Sequence, residues 1–432
     1  MRRRAMLAAA GSLAAAITVP TGRAFAAQTV GPVLDHRIEK TYDGRSYTDL
    51  SAQVAAVRGL TSGTILATCR TTSRNLAMTL LSASNPADPS SEVFLGLAGG
   101  ALQFVVRDRA SVKVNRLTRT MYDDGEWHTF AVTVSAGGTT FYADGRPVLT
   151  LASTAFFSAV SGMASVNVGR NVDSTSPGGE WFYTGGIRRV SVYDRVLTPA
   201  ELRAESVRVD VADFGTVSTI LNSDTPANWV ITGDSITHGA LYTYGWRSYA
   251  EHFQERVRWE LGKTKNSDFV VDTGVSGSTT DDLVAVFPQR VTAFTPRVVS
   301  IMLGTNDVAT PAIGRTVYRA NLVRLVDAVR ALPGGVVPVL QTPNAVDLAR
   351  WSNRTALGDY AETMREVAQA DGVVLIDHHT HWLTSDGGSA PTRLLADGLH
   401  PDRRGHLFLA HKMIKDLRIF DPGSRVCSLT IP

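Results

Sequence analysis

The chain has 432 residues, 44% hydrophobic and 19% charged, a balance that fits two or three globular domains and excludes an intrinsically disordered chain. Its formal charge of +3 comes from the N-terminus, where the first 26 residues hold Arg2, Arg3, Arg4 and Arg23 and no acid; the rest carries −1. With no basic arm or Lys/Arg block beyond that point, nucleic acid and anionic membrane are excluded as expected partners.

The first predicted element is an export signal over residues 1–27. A basic start, an apolar run from Ala5 to Val19 and the small-residue site Ala24-Phe25-Ala26 give it its three parts. Arg3-Arg4-Ala5-Met6-Leu7 fits the twin-arginine type loosely. The apolar run is shorter than a membrane span, which disfavours an uncleaved anchor and leaves no membrane partner once the signal is removed. The expected location is extracellular.

Residues 28–205 read as short strands broken by turns: "TSGTILATCR", "SEVFLGLAGG", "ALQFVVRDR", "HTFAVTVSAGGTTFYADGRPV" and "ASVNVGR". Partial alternation, β-branched and aromatic residues, and Gly, Asn or Asp at the breaks predict an antiparallel β-sandwich. Asp144-Gly145 is a hairpin signal. The run closes on "YTGGIRRVSVYDRVLTPAEL", a strand and then a short helix capped by Thr198 with Pro199 at its first position.

Together with "DDGEWHTFAVTV" and "FYADGRPV", that ending resembles the laminin-G/concanavalin A-like superfamily over residues 35–205, and most of all the lectin-type domain found N-terminal to some sialidases. The resemblance implies glycan binding. By position it implies Arg107 in "QFVVRD", Arg170 in "VNVGRN" and Trp181 in "GEWFYTG" as substrate-binding residues, since a planar guanidinium pairs bidentately with a sugar carboxylate. Val105 departs from the pattern, standing where the acidic partner is expected. The alternative is that these arginines are solvated or paired on a sheet face.

After a linker at 206–228 the rhythm changes. "NWVITG", "DFVVDTG", "RVVSIMLG", "VVPVLQTP" and "GVVLID" alternate with helical patterns such as Trp246 to Leu261, Arg315 to Leu332 and Asn353 to Ala370. Short Val/Ile-rich strands alternating with amphipathic helices predict a parallel, flavodoxin-like sheet covered on both faces, over 229–420, with a tail at 421–432. Chemistry then belongs at the carboxyl ends of the strands.

Four signals stand there. "GDSITHG" offers Ser235, which on its own reads either as a nucleophile or as the cap of the next helix. "DTGVSGST" offers Gly277, "MLGTND" offers Asn306, and "LLADGLHPDRRGH" offers Asp397 three residues before His400. Together these blocks resemble the SGNH (GDSL-type) hydrolases over Trp229 to Leu417. The resemblance implies a serine esterase with Ser235 as nucleophile, His400 as general base and Asp397 orienting it. It also implies an oxyanion hole made by the Ser235 and Gly277 backbone N–H groups and the Asn306 amide. Such chemistry needs no cofactor and no metal. Asp234 is expected to brace the turn, and His238 is the alternative base.

The cluster "DHHTHW", Asp377 to Trp382, invites a metal, but an extended chain sets His378 and His379 apart. No G-x-S-x-G elbow, P-loop or G-x-G-x-x-G after a strand is present. Cys69 and Cys427 are too few for a zinc cluster; export permits a disulfide between them, or each is a small hydrophobe. Near the nucleophile, Tyr242, Tyr244, Trp246 and Tyr249 read either as a sugar platform or as core.

The family chemistry does not choose the ester, so the sandwich must. A lectin-like domain tethers an exported enzyme to a polymer and raises the local concentration of its esters, which points to carbohydrate O-acetyl groups. O-acetylated sialic acid ranks first because of the sialidase-like sandwich, ahead of plant or cell-wall polysaccharide. The rival readings are an extracellular lipase or arylesterase, and a glycan-binding protein without catalysis.

Overall fold

Alternation between Leu34 and Tyr193 builds two antiparallel sheets, as expected. Among the residues that the computed structural model describes, 31–109, 111–172, 180–385 and 392–431, one sheet runs Leu34–His36, Thr184–Tyr193, Gly63–Arg70, His128–Ser135, Gly138–Ala143, Arg146–Leu151, with Lys40–Asp43 beside the second strand. The other runs Thr48–Asp49, Ser165–Val168, Met78–Asn85, Asp88–Ala98, Ala101–Asp108, Ser111–Met121. The expected export segment lies outside the described residues.

Ile65, Cys69, Leu95, Phe104, Phe130 and Phe141 fill the space between the sheets. Strand Gly63–Arg70 is buried on both faces, because Leu66 packs outward under Leu197 and Leu202. Leu202 belongs to the helix predicted from its cap, Pro199–Glu205, and Leu197 directly precedes that cap, where Thr198 and Glu201 form a reciprocal capping box. At the Asp144-Gly145 hairpin both residues hold positive φ, 48° and 73°, as a two-residue turn of this kind requires.

The second half is a five-stranded parallel sheet in the order Phe269–Asp272, Asn228–Gly233, Val298–Met302, Val337–Gln341, Val374–Ile376. Alternate residues of the first strand serve opposite cores. Trp229 and Ile231 pack with Phe253, Leu409 and Met413, whereas Val230 packs with Leu322, Leu325 and Met364. The chain order of these strands is 2-1-3-4-5, which puts the switch point between Asn228–Gly233 and Val298–Met302.

Two sequence expectations need correction. Residues 206–228 are not a plain linker: Ala212–Asn222 is a helix whose Phe214, Val217 and Leu221 enter the core of the second half. Its other side lies on strand Arg146–Leu151, with Thr219 Oγ1 donating to the Pro147 carbonyl at 3.1 Å. Nor is 421–432 a loose tail, since Val426 and Cys427 are buried in that same core. Both cysteines are free, Cys69 in the sandwich core and Cys427 in the other, so no disulfide joins them.

From Pro32 onward the chain packs as one unit. Its joint is polar. Arg418 donates to Asp210 at 2.8 and 3.0 Å and lies 3.3 Å from Asp144, its guanidinium 4.7 Å over the Phe214 ring. Truncating one partner of such a buried pair strands the other charges. Arg418→Ala is therefore expected to destabilise the protein by about 3 kcal/mol, read from denaturant unfolding; a loss below about 0.5 kcal/mol would show the joint to be a surface pairing.

Candidate active site

Strand Asn228–Gly233 delivers the chain to the switch point and turns sharply. At Gly233 a Cβ would lie 2.2 Å from Thr237 Oγ1 and 2.5 Å from the Met302 carbonyl, so only glycine lets the strand end against its neighbour. Asp234 then caps the short helix Ser235–His238 by accepting the Ile236 N–H at 2.9 Å. Burial pushes its carboxyl up to about 7, and nearby Asp307 adds to the rise against the Ile236 N–H. The cap of this turn is thus Asp234, and Ser235 is its first helical residue, with its hydroxyl directed elsewhere.

That hydroxyl meets His400. Ser235 Oγ lies 2.9 Å from His400 Nε2, and His400 Nδ1 lies 2.8 Å from Asp397 Oδ2. Asp397 Oδ1 accepts the backbone N–H groups of Leu399 and His400 at 2.9 and 2.8 Å. Burial alone would raise the Asp397 carboxyl; the two backbone donors and the imidazole outweigh it and hold it below its ordinary value. The Tyr242 ring stacks on the His400 imidazole, its centroid 3.7 Å away and its plane 3° from parallel.

Gly277 sits at φ +82° in the loop after strand Phe269–Asp272, a conformation that costs a residue with a Cβ. Asn306 follows strand Val298–Met302 and donates one amide N–H to the Ser278 carbonyl at 3.1 Å. Among the described residues its second N–H has no acceptor. Both therefore border the same loop. A primary amide with a spare donor suits stabilisation of an oxyanion.

The sequence reading missed Arg290. Its buried guanidinium donates to the Thr273 carbonyl (2.9 Å), Ser278 Oγ (2.9 Å), Thr232 Oγ1 (3.0 Å) and the Gly233 carbonyl (2.5 Å). It ties the loop holding Gly277 to the strand that carries Ser235. His238 is exposed and lies 3.1 Å from Ser276 Oγ rather than on Ser235. His378 is buried on the Gln341 side chain at 2.7 Å and His381 stacks on Phe408, and among the described residues no three His, Cys, Asp or Glu side chains cluster as metal ligands. Of the four aromatics, Tyr249 is core, Tyr242 covers His400, and Tyr244 and Trp246 are exposed.

On the sandwich, Arg107 and Trp181 line one cavity of about 750 Å³ together with Glu92, Phe94 and Asn171. Glu92, directly across the hairpin from Arg107, is its ion-pair partner, and Asn171 donates to the other Glu92 oxygen at 2.6 Å. The acid expected at Val105 thus comes from the neighbouring strand. Arg170 does not line this cavity: its guanidinium lies 3.7 Å over the Tyr47 ring, the adjacent Asn171 taking the inward place.

The model of the GDSL-like Lipase/Acylhydrolase family matches residues 231–407, and that of the Concanavalin A-like lectin/glucanases superfamily matches 43–203. A curated relative, the acetylxylan esterase of Geobacillus stearothermophilus, is 28% identical over 207 residues, 43% of this chain and 91% of its own length. A solved structure of a catalytic mutant of that organism's acetylxylan esterase Axe2 is 24% identical, covers 45% of this chain and 96% of its own, and has a TM-score of 0.38. The CBM40 domain of a Ruminococcus gnavus sialidase, bound to α2,3 sialyllactose, is 24% identical, covers 40% of this chain and 98% of its own, and has a TM-score of 0.37. Residues 231–407 thus match the GDSL-like lipase/acylhydrolases and residues 43–203, ahead of them, the concanavalin A-like superfamily, and the chain is a carboxylic ester hydrolase.

Proposed function

We propose that this is an exported serine esterase that removes O-acetyl groups from carbohydrate, with the sandwich holding glycan through Arg107 and Trp181. The observation that carries the catalytic half is the hydrogen-bonded line Ser235, His400, Asp397, at 2.9 and 2.8 Å. The carbohydrate half is supported by the relative that shares 28% of residues over nearly its whole length and is an acetylxylan esterase. Among the described residues no helix is long and apolar enough to cross a membrane, and the export signal remains part of the proposal.

Ser235 Oγ attacks the acetyl carbonyl while His400 Nε2 takes its proton. The charge that develops on the carbonyl oxygen is met by the Ser235 and Gly277 N–H groups and the free Asn306 N–H. His400 returns the proton to the leaving sugar hydroxyl, and water, deprotonated by the same imidazole, frees acetate from the acyl-serine. Asp397 stabilises the imidazolium throughout. Asn306→Ala is expected to lower kcat about 10²–10³-fold with little change in KM, measured on 4-nitrophenyl acetate. An unchanged kcat would remove Asn306 from the oxyanion site.

The substrate is tested by acetate release from O-acetylated sialoglycan and acetylated xylan side by side. Release from the sialoglycan would join both halves in a sialate O-acetylesterase, and release chiefly from xylan would assign the sandwich another glycan. Preference for long acyl chains over both would favour a lipase and overturn the carbohydrate reading.

A further inference from the structure

The loop after the nucleophile helix reaches past the catalytic residues to a second cavity, of about 400 Å³, lined by Trp246, Arg247, His252, Arg403, Arg404 and Leu407 among others. Two ring contacts fix that path. Tyr242 stacks on His400, and four residues later Trp246 lies against Arg403, three residues beyond His400, with the guanidinium 4.7 Å from the ring centroid. Four residues reach at most about 14 Å, so the cavity begins within two or three sugar rings of the ester.

Its lining has three features that nothing in the acetyl-transfer chemistry uses. Trp246 is 59% exposed, an indole open to solvent beside an active site. Arg403 is exposed and, among the described residues, has no carboxylate within ion-pair distance, whereas Arg247 faces Glu255 at 3.4 Å and Arg404 faces Asp402 at 2.6 Å. His252 is 8% exposed, yet among the described residues its Nδ1 has no hydrogen-bond partner. A buried ring nitrogen left unsatisfied costs stability unless a ligand or water completes it. Burial, with Arg247 nearby, pulls the His252 pKa down to about 4, so its ring is neutral and offers one donor and one acceptor.

We propose that Trp246, Arg403 and His252 form a subsite for a pyranose that carries a carboxylate, one or two units from the sugar that bears the ester. The C–H face of the ring lies on the indole, the Arg403 fork takes the carboxylate through two parallel N–H bonds, and His252 completes a hydroxyl. Arg suits this role because stacking on an aromatic ring leaves its in-plane donors free. The inference rests on the carbohydrate reading above and adds the charge of the neighbouring unit, a hexuronate or a sialate.

The test compares kcat/KM for acetate release from acetylated xylo-oligosaccharides with and without a glucuronate branch, and from oligosaccharides O-acetylated on a neutral sugar with and without a neighbouring sialate. Arg403→Gln is expected to lower the acidic-to-neutral ratio about tenfold, through KM, in whichever arm is recognised; Arg403→Lys should keep part of it, and Trp246→Ala should raise KM for every oligosaccharide. A ratio unchanged in Arg403→Gln, with acetate still released from the neutral sugars, overturns the subsite and leaves the esterase reading intact. No acetate from any oligosaccharide, with 4-nitrophenyl acetate still cleaved, overturns both.

Discussion

Ser235→Ala is expected to lower kcat on short acyl esters by about 10⁵-fold or more, with KM little changed. The size follows from what the substitution removes. Among the described residues no other hydroxyl lies on His400 Nε2, so the base is left with only water to activate. The residual rate would come from the oxyanion donors and from binding, which survive the loss of a nucleophile. Because Ser235 is half-buried at the start of a helix whose cap is Asp234, removing one oxygen leaves the turn intact. Circular dichroism of the variant should therefore match the parent while activity is lost.

Asp397→Asn is the second large effect, about 10⁴-fold in kcat, and its cause is the direction of one proton. Asp397 Oδ1 is held by two backbone N–H donors, from Leu399 and His400. In the asparagine variant only the amide oxygen can accept those bonds, so the NH₂ group is forced to the position of Oδ2 and faces His400 Nδ1. Nδ1 must then accept, the ring proton moves to Nε2, and Nε2 can no longer take the proton from Ser235. The pair is thus locked in the wrong tautomer with its geometry preserved. Asp397→Ala, which frees the ring to rotate, should be no worse than Asp397→Asn; a near-normal rate in Asp397→Asn would mean that the carboxylate serves the loop and not the imidazole.

Much of the fold was legible because each half has one dominant period. Alternation and Gly-bearing turns marked the sandwich, and Val/Ile strands between helices marked the parallel sheet. The helix Ala212–Asn222 escaped because its buried residues include Asp213, Ser218 and Asn222 beside the apolar ones and its N-cap, Val211, is not a capping residue, so neither boundary nor face announces itself. The residues of the catalytic line stood out through their blocks at strand ends. Arg290 did not, since its partners are mostly backbone carbonyls and hydroxyls that only the fold brings together.

Glu92 is a different case, because the sequence itself carries its signal. The Gly99-Gly100 turn fixes the hairpin register, Ala98 pairs with Ala101, and counting outward sets Glu92 opposite Arg107. An acid two residues before Arg107 would lie on the same strand, whereas the pairing places the partner across. Arg170 and Trp181 show the limit of carrying residues over by position: one faces the cavity and the other stacks on Tyr47.

Covalent capture at the serine tests the account most directly. The protein is treated with a serine-directed fluorophosphonate, digested, and the modified peptide sequenced by mass spectrometry, with residual esterase activity followed in parallel. The account predicts a single adduct on Ser235 that forms in step with the loss of activity and is absent in His400→Ala, where the hydroxyl has no base. An adduct on another residue that tracks inactivation, or full activity with Ser235 modified, would contradict it.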